Sequence, residues 1–290
     1  MKPNLTLLSR VLSQPWAIRQ EALSLFAQLV LAAAPNGKAI DDRERQPRAR
    51  AQAGYLPLSG EACWAAEDDC LPDLPDGITC LLVWGVLGRA WTAGEKYWFD
   101  AIEVDDITRA IAATPEGQTI VLWFRSPGGI TTGIPETAAA LRKMGTSRRL
   151  LAFSDDLCAS AAYWLASQCE RIDATPTAAV GSIGVYLAFY DYCAYLEQAG
   201  ISLELFKAGK LKGLGLPGNP LDDGARAHLQ AGVDEAYRQF TADVLRNRDL
   251  AVETMQGQTQ DGKNASAANL VDGFFPSAAD YFRALAKGKV

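Results

Sequence analysis

Ser160 sits in the run Asp156–Leu165, D-L-C-A-S-A-A-Y-W-L, where a hydroxyl could attack a carbonyl. Upstream, Leu150–Phe153 is apolar and strand-like and Ser154–Asp156 reads as a short acidic turn; downstream come good helix formers, so Ser160 falls where strand becomes helix. The first N–H groups of a helix have no intrahelical partner and carry partial positive charge. An oxyanion formed beside Ser160 could be held there, with the Ala161 N–H as one donor. The small neighbours Ala159, Ala161 and Ala162 would let a peptide approach. A serine at this position also suits a plain helix cap, and the stretch alone leaves both readings open.

A nucleophilic hydroxyl needs a base, and the usual one is missing. The single histidine, His228, lies in the polar helix-like segment Asp222–Gln230 and is expected to face solvent. A Ser-His-Asp triad is therefore not expected, and the base must be of another kind. Cys158, two residues before Ser160, competes as nucleophile but lacks a histidine partner and reads better as a small buried hydrophobe. The six cysteines (63, 70, 80, 158, 169, 193) contain no CxxC pair, so a structural zinc site is not expected and no cofactor is implied. Cys63 and Cys70 could pair in an oxidising compartment; the expectation is reduced thiols and a cytoplasmic location.

The elements that must position Ser160 follow from the bulk and the pattern. With 290 residues, 49% hydrophobic and 21% charged, the chain can bury a large core as one large domain or two small ones. A formal net charge of -6 gives no support to a nucleic-acid or anionic-membrane partner, and the basic run Arg43–Arg50 is balanced by Asp41, Asp42 and Glu44. Residues 1–34 carry some marks of a secretory signal, yet Gln20 and Glu21 abut the apolar part and Gln28 interrupts it. An amphipathic helix with no membrane anchor is the preferred reading.

Residues 35–75, rich in proline, glycine and charge, read as a linker, giving an N-terminal region 1–75 and a folded domain 76–290. In that domain Ile78–Leu87 reads as a buried strand, Ile102–Ala113 as a helix, and Thr119–Phe124 as a strand closing on a Pro127-Gly128-Gly129 turn. A helix at 134–143, a strand at 149–153 and the Ser160 helix follow. Ala178–Ala188 reads as a strand with close backbone approach, Tyr190–Gln198 as a helix, 202–206 as a strand and 222–248 as a long amphipathic helix. Ala267–Ala286 reads as a small helix, a Gly273 turn and a closing helix. Repetition of strand, turn and helix implies an α/β domain with a parallel sheet, whose ligands collect at the carboxyl ends of strands. The Pro-Gly-Gly turn and Ser160 both fall at such ends.

Taken in order, R-S-P-G-G, A-S-A-A-Y, V-G-S-I-G-V and F-K-A-G-K-L-K-G resemble the signal peptide peptidase A type of Ser-Lys peptidase over residues 78–285, and G-K-N-A-S-A-A-N-L-V-D-G resembles the family's closing region. The resemblance implies a ClpP/crotonase-like repeated β-β-α superhelix, here with an N-terminal helical extension. It implies Ser160 as nucleophile and Lys212 as general base, with Lys207 and Lys210 as local competitors. It also implies that Ser182 orients the lysine amine, that Gly129 and Ala161 donate N–H groups to the oxyanion, and that Gly128 contacts substrate. Ile130 and Ala161-Ala162 depart from the family's usual third glycine and Ser-Gly-Gly. An alanine still donates its N–H, so the departure bears on pocket shape.

Such a dyad explains the absent triad. A free lysine, with pKa about 10.4, is almost wholly protonated at neutral pH; burial in an apolar site lowers that value and frees the lone pair. The resemblance further implies a polypeptide substrate and a ring-like homo-oligomer with sites built at protomer contacts. The opening S-Q-P-W-A-I-R-Q-E-A-L resembles the phage and prophage branch, whose members act on scaffold or portal proteins. The alternatives are a soluble housekeeping peptidase and a catalytically silent ring-forming assembly factor.

Overall fold

The computed structural model describes residues 16–18, 54–58, 71–92, 95–96 and 99–290. The expected amphipathic helix at 22–34, the basic run and Cys63 and Cys70 lie outside the described residues. β1 (Trp16–Ile18) and β2 (Tyr55–Pro57) precede β3 (Ile78–Trp84), β4 (Leu87–Gly88), β5 (Ile102–Glu103) and α1 (Val104–Ala113). β6 (Thr119–Ser126), β7 (Gly128–Ile130) and α2 (Ile134–Met144) come next, followed by β8 (Leu150–Ala159), α3 (Ala161–Ala166), β9 (Arg171–Ala174) and β10 (Ala179–Gly181). The chain closes through α4 (Cys193–Gln198), α5 (Asp223–Val244), β11 (Thr259–Gln260), α6 (Gly262–Ala267), β12 (Gly273–Phe274) and α7 (Ala278–Ala286).

A long strand, then one or two short strands, then a helix recurs: β3, β4, β5 and then α1; β6, β7 and then α2. The long strands form the centre of one sheet, ordered β11-β10-β8-β6-β3-β2, and the short ones a second sheet, ordered β1-β7-β4-β5. β2, β3, β6, β8 and β10 pair in parallel, and β11 closes the edge antiparallel to β10. This is the α/β parallel architecture that the strand-helix alternation implies. Tyr55–Pro57, within the stretch read as linker, supplies the far edge strand, and Tyr55 is buried.

Both faces of the parallel sheet are covered, which is why β3 and β6 read as unbroken apolar runs. Side chains alternate along β3. Leu81 and Val83 join a core with Ile107, Ile111, Ile134 and Leu141 of α1 and α2; Cys80, Leu82 and Trp84 join a second core with Tyr281, Phe282 and Leu285 of α7. Among the described residues, no helix is long and apolar enough to cross a membrane.

Several boundaries differ from expectation. Ser154–Asp156 is not a turn: β8 runs on to Ala159, and its register against β6 shifts between Phe124 and Ser126. The irregularity puts the Asp155 carboxylate where Trp123 Nε1 (2.7 Å) and the Arg125 guanidinium (2.8 and 2.6 Å) donate to it, while Ser154 Oγ donates to the Phe124 carbonyl at 2.8 Å. Gly128 and Gly129 form strand β7 in place of a turn. Only Ala179–Gly181 of the 178–188 run is strand, because Ser182 turns into the left-handed region. Residues 202–206 form no strand; Leu203 and Phe206 are exposed there, with no sheet edge to join. Gly273 opens β12 beside β9, and a Cβ on it would sit 2.5 Å from Arg171 Nη2.

Candidate active site

Ser160 occupies the junction of β8 and α3 with φ 55° and ψ -120°, a backbone conformation that costs a non-glycine residue about 1–3 kcal/mol. It does not cap the helix: its side chain accepts no hydrogen bond from the first turn. The main chain holds it instead. Its N–H donates to the Gly181 carbonyl at 2.7 Å, its carbonyl accepts from Trp164 N–H at 2.9 Å, and its Oγ lies 3.4 Å from the Gly184 carbonyl. The residue is 1% exposed.

The helix behind it is buried all round, as six apolar residues in a row require. Trp164 stacks on Phe240 of α5 with centroids 4.5 Å apart, and its Nε1 donates to Asp243 Oδ2 at 3.0 Å. Tyr163 donates its hydroxyl to the Leu270 carbonyl at 2.9 Å. These contacts fix the direction of α3 and so the direction of Ser160.

Ser182 stands beside it. β8 and β10 pair in parallel with Ala159 opposite Gly181, so Ser160 and Ser182 each follow the last paired residue of adjacent strands. Ser182 has φ 53°, its N–H donates to the Gln258 carbonyl at 2.7 Å, and its Oγ donates to the Gly257 carbonyl at 3.2 Å. A hydroxyl that donates once keeps two lone pairs for acceptance. Nearby, β7, which carries Gly128 and Gly129, packs against α3, and Ala161, the first residue of α3, is buried. A Cβ on Gly129 would meet the Leu87 carbonyl oxygen at 1.7 Å, so only glycine fits.

Lys212 lies exposed in the turns after Gly209, its N–H donating to the Gly209 carbonyl at 3.1 Å, and among the described residues no hydrogen bond joins its amine to Ser160 or Ser182. Lys207, one competitor, places its amine 3.2 Å from the Lys210 carbonyl, and both Lys207 and Lys210 are exposed. Residues 190–218, the arm that carries these lysines, also hold a hollow of about 310 Å³ lined by Cys193, Leu196, Ile201 and Leu203. The arm also exposes Tyr190, Tyr195, Ile201, Leu203, Leu211 and Leu216, with Phe206 91% exposed.

The competing nucleophile is suppressed: burial pushes the Cys158 thiol well above the ordinary range, which disfavours the reactive thiolate. His228 is exposed on α5, as its polar segment implies. Sequence reasoning missed the carbonyls of Gly184 and Gly257 that receive the two hydroxyls. Backbone acceptors leave little trace in sequence, and the glycines of V-G-S-I-G-V were the available signal.

A buried serine held in a left-handed turn between a parallel strand and a helix is the arrangement by which α/β hydrolases present a nucleophile. Residues 142–287, half of the chain, match the model for Peptidase family S49, and the chain belongs to that family of serine peptidases. A relative from the archaeon Methanocaldococcus jannaschii is 27% identical over 177 residues, covering 60% of this chain and 54% of that protein. The head-tail preconnector protein GP5 of Enterobacteria phage P21 is 31% identical, covering 53% of this chain and 31% of its own. Capsid assembly protease C of Escherichia phage lambda is also 31% identical, at 56% and 37% coverage. The chain thus spans about half or less of these relatives. Among solved structures, a ClpP1 mutant of Listeria monocytogenes is similar over 68% of this chain and 91% of that one, at 9% identity and a TM-score of 0.42.

Proposed function

We propose that the chain is a serine endopeptidase with Ser160 as nucleophile and Lys212 as general base, acting on a polypeptide of phage capsid assembly such as a scaffold or portal protein. The observation that carries the reading is the uncapped, left-handed Ser160 in register with Ser182. A neutral Lys212 amine takes the Ser160 proton as Oγ attacks the peptide carbonyl, then returns it to the leaving amine. The N–H groups of Gly129 and Ala161 receive the tetrahedral oxyanion, each such donor contributing about 3–4 kcal/mol in a protease where one was removed. Water then hydrolyses the acyl-enzyme. Ser182 accepts an N–H of the lysine and aims its lone pair at Ser160, while Gly128 borders the bound peptide.

An exposed amine is a poor base, and among the described residues nothing buries Lys212, so the reading requires a further contact that desolvates it. The arm that carries it, with Phe206 91% exposed among six other exposed apolar residues, offers a surface for a neighbouring copy. A ring-like homo-oligomer in which the dyad closes at a protomer contact accommodates both facts. The capsid role is supported by the names of two phage relatives. A housekeeping peptidase is favoured by one observation, the archaeal relative that matches over a longer stretch. Mass spectrometry of candidate scaffold and portal proteins after incubation with the wild-type chain and with Ser160→Ala tests the assignment. Discrete cuts made only by wild type are expected; identical digests from the two would refute it.

A further inference from the structure

β7 has two edges. One is taken by β4, through Leu87 opposite Gly129. The other is taken by the chain's own β1, antiparallel, with Trp16 opposite Ile130, Ala17 opposite Gly129 and Ile18 opposite Gly128. β1 is the outermost strand of that sheet, and without it β7 would present unpaired N–H and C=O groups.

An extended peptide binds such an edge through main-chain hydrogen bonds whatever its side chains. A substrate carbonyl directed at the Gly129 N–H, with its carbon facing Ser160, must run beside β7, because Gly129 belongs to β7 and β7 packs against the helix that Ser160 opens. The β4 edge has no room, since a single added carbon on Gly129 would meet the Leu87 carbonyl oxygen at 1.7 Å. The remaining edge is the one that residues 16–18 hold.

We infer that Trp16–Ile18 occupy the strand position of an extended polypeptide substrate, so that the chain carries a displaceable occupant of its own substrate groove. This rests on the serine-peptidase reading above. A ladder of three residues is short, so a substrate that also fills side-chain pockets displaces it. Substrates that add antiparallel to Gly128–Ile130 are the class admitted.

The test uses the full chain with Ala17→Pro and, separately, Ile18→Pro. Alternate residues of an antiparallel strand direct their N–H at the partner, so one of the two removes a donor that faces β7. The readout is the rate at which a peptidyl diphenyl phosphonate modifies Ser160, its Oγ bonding to phosphorus as phenol departs with the proton. At least one variant is expected to react about tenfold faster than wild type, the factor by which a groove occupied ten times in eleven suppresses binding. A synthetic peptide spanning residues 12–22 is expected to slow that variant back toward the wild-type rate. Equal rates in all three chains with no slowing by the peptide would overturn the inference alone. Should both variants fail to fold, the peptide added to the wild-type chain decides: competitive slowing supports the inference and its absence overturns it. No modification of Ser160 in any chain would overturn the peptidase reading and the inference with it.

Discussion

Ser160 and Ser182 are matched residues: each lies one position past the paired ends of β8 and β10, at Ala159 and Gly181, each is buried, and their φ angles are 55° and 53°. Two adjacent strands thus end in two left-handed serines, neither of which caps a helix with its side chain. Glycine would adopt both conformations more cheaply. Hydroxyls kept at a conformational cost, side by side at the carboxyl end of a parallel sheet, are the signature of a site.

That cost can be measured. Ser160→Gly is expected to be more stable than Ser160→Ala by about 1 kcal/mol, since both lose the hydroxyl and only glycine relieves the positive φ. Urea unfolding of the two variants checks this, and neither should react with a serine-directed phosphonate.

Ser182→Ala is expected to keep the fold and lose roughly 100-fold in kcat with little change in KM, as befits a residue that orients the base and does not hold substrate. Steady-state kinetics on a cleaved peptide give the split. A loss confined to KM would remove Ser182 from the role proposed for it.

Gly129→Ala adds a carbon where the Leu87 carbonyl oxygen lies at 1.7 Å. The strands must part, and a destabilisation of about 1–3 kcal/mol is expected, together with loss of phosphonate reactivity out of proportion to the fraction unfolded. Thermal unfolding and labelling on the same samples separate the two effects.

Asp272 ties the closing segment to β9 and to the turns that follow α5. It accepts from Ile172 N–H at 2.8 Å and from both terminal nitrogens of Arg248, one of them at 2.8 Å. Burial would raise its carboxyl, but Arg248 and the Ile172 N–H outweigh burial and hold it below the usual carboxylate range. Stability from a depressed carboxyl is present above its unfolded value and lost as pH falls through the folded one. Asp272→Asn is therefore expected to cost about 1–2 kcal/mol at neutral pH, with the deficit shrinking as pH falls below the ordinary aspartate value of 3.8. Urea unfolding across that range checks it.

Much of this was legible in the residues. The unbroken apolar runs at 78–84 and 119–124 gave the central parallel strands because both faces of such strands are buried. The strand-to-helix position of Ser160 followed from the change of pattern around it. The polar triplet Ser154–Asp156 misled, because the Asp155 carboxylate and Ser154 hydroxyl are satisfied within the sheet by Trp123, Arg125 and the Phe124 carbonyl. The stretch 202–206 misled in the opposite sense: apolar alternation implies a covered face, whereas Leu203 and Phe206 are both exposed. The pairing of residues 16–18 with β7 joins segments far apart in sequence, and local pattern does not reach that far.

The central claim is that the Lys212 amine activates the Ser160 hydroxyl in the associated protein. The most direct test is the rate of phosphonate modification of Ser160, located by mass spectrometry, for wild type and Lys212→Ala across a range of protein concentration with the oligomeric state followed by light scattering. Modification confined to the associated wild-type protein and reduced at least about 100-fold in Lys212→Ala is the predicted result. Modification of Lys212→Ala at the wild-type rate in the associated state would contradict the account.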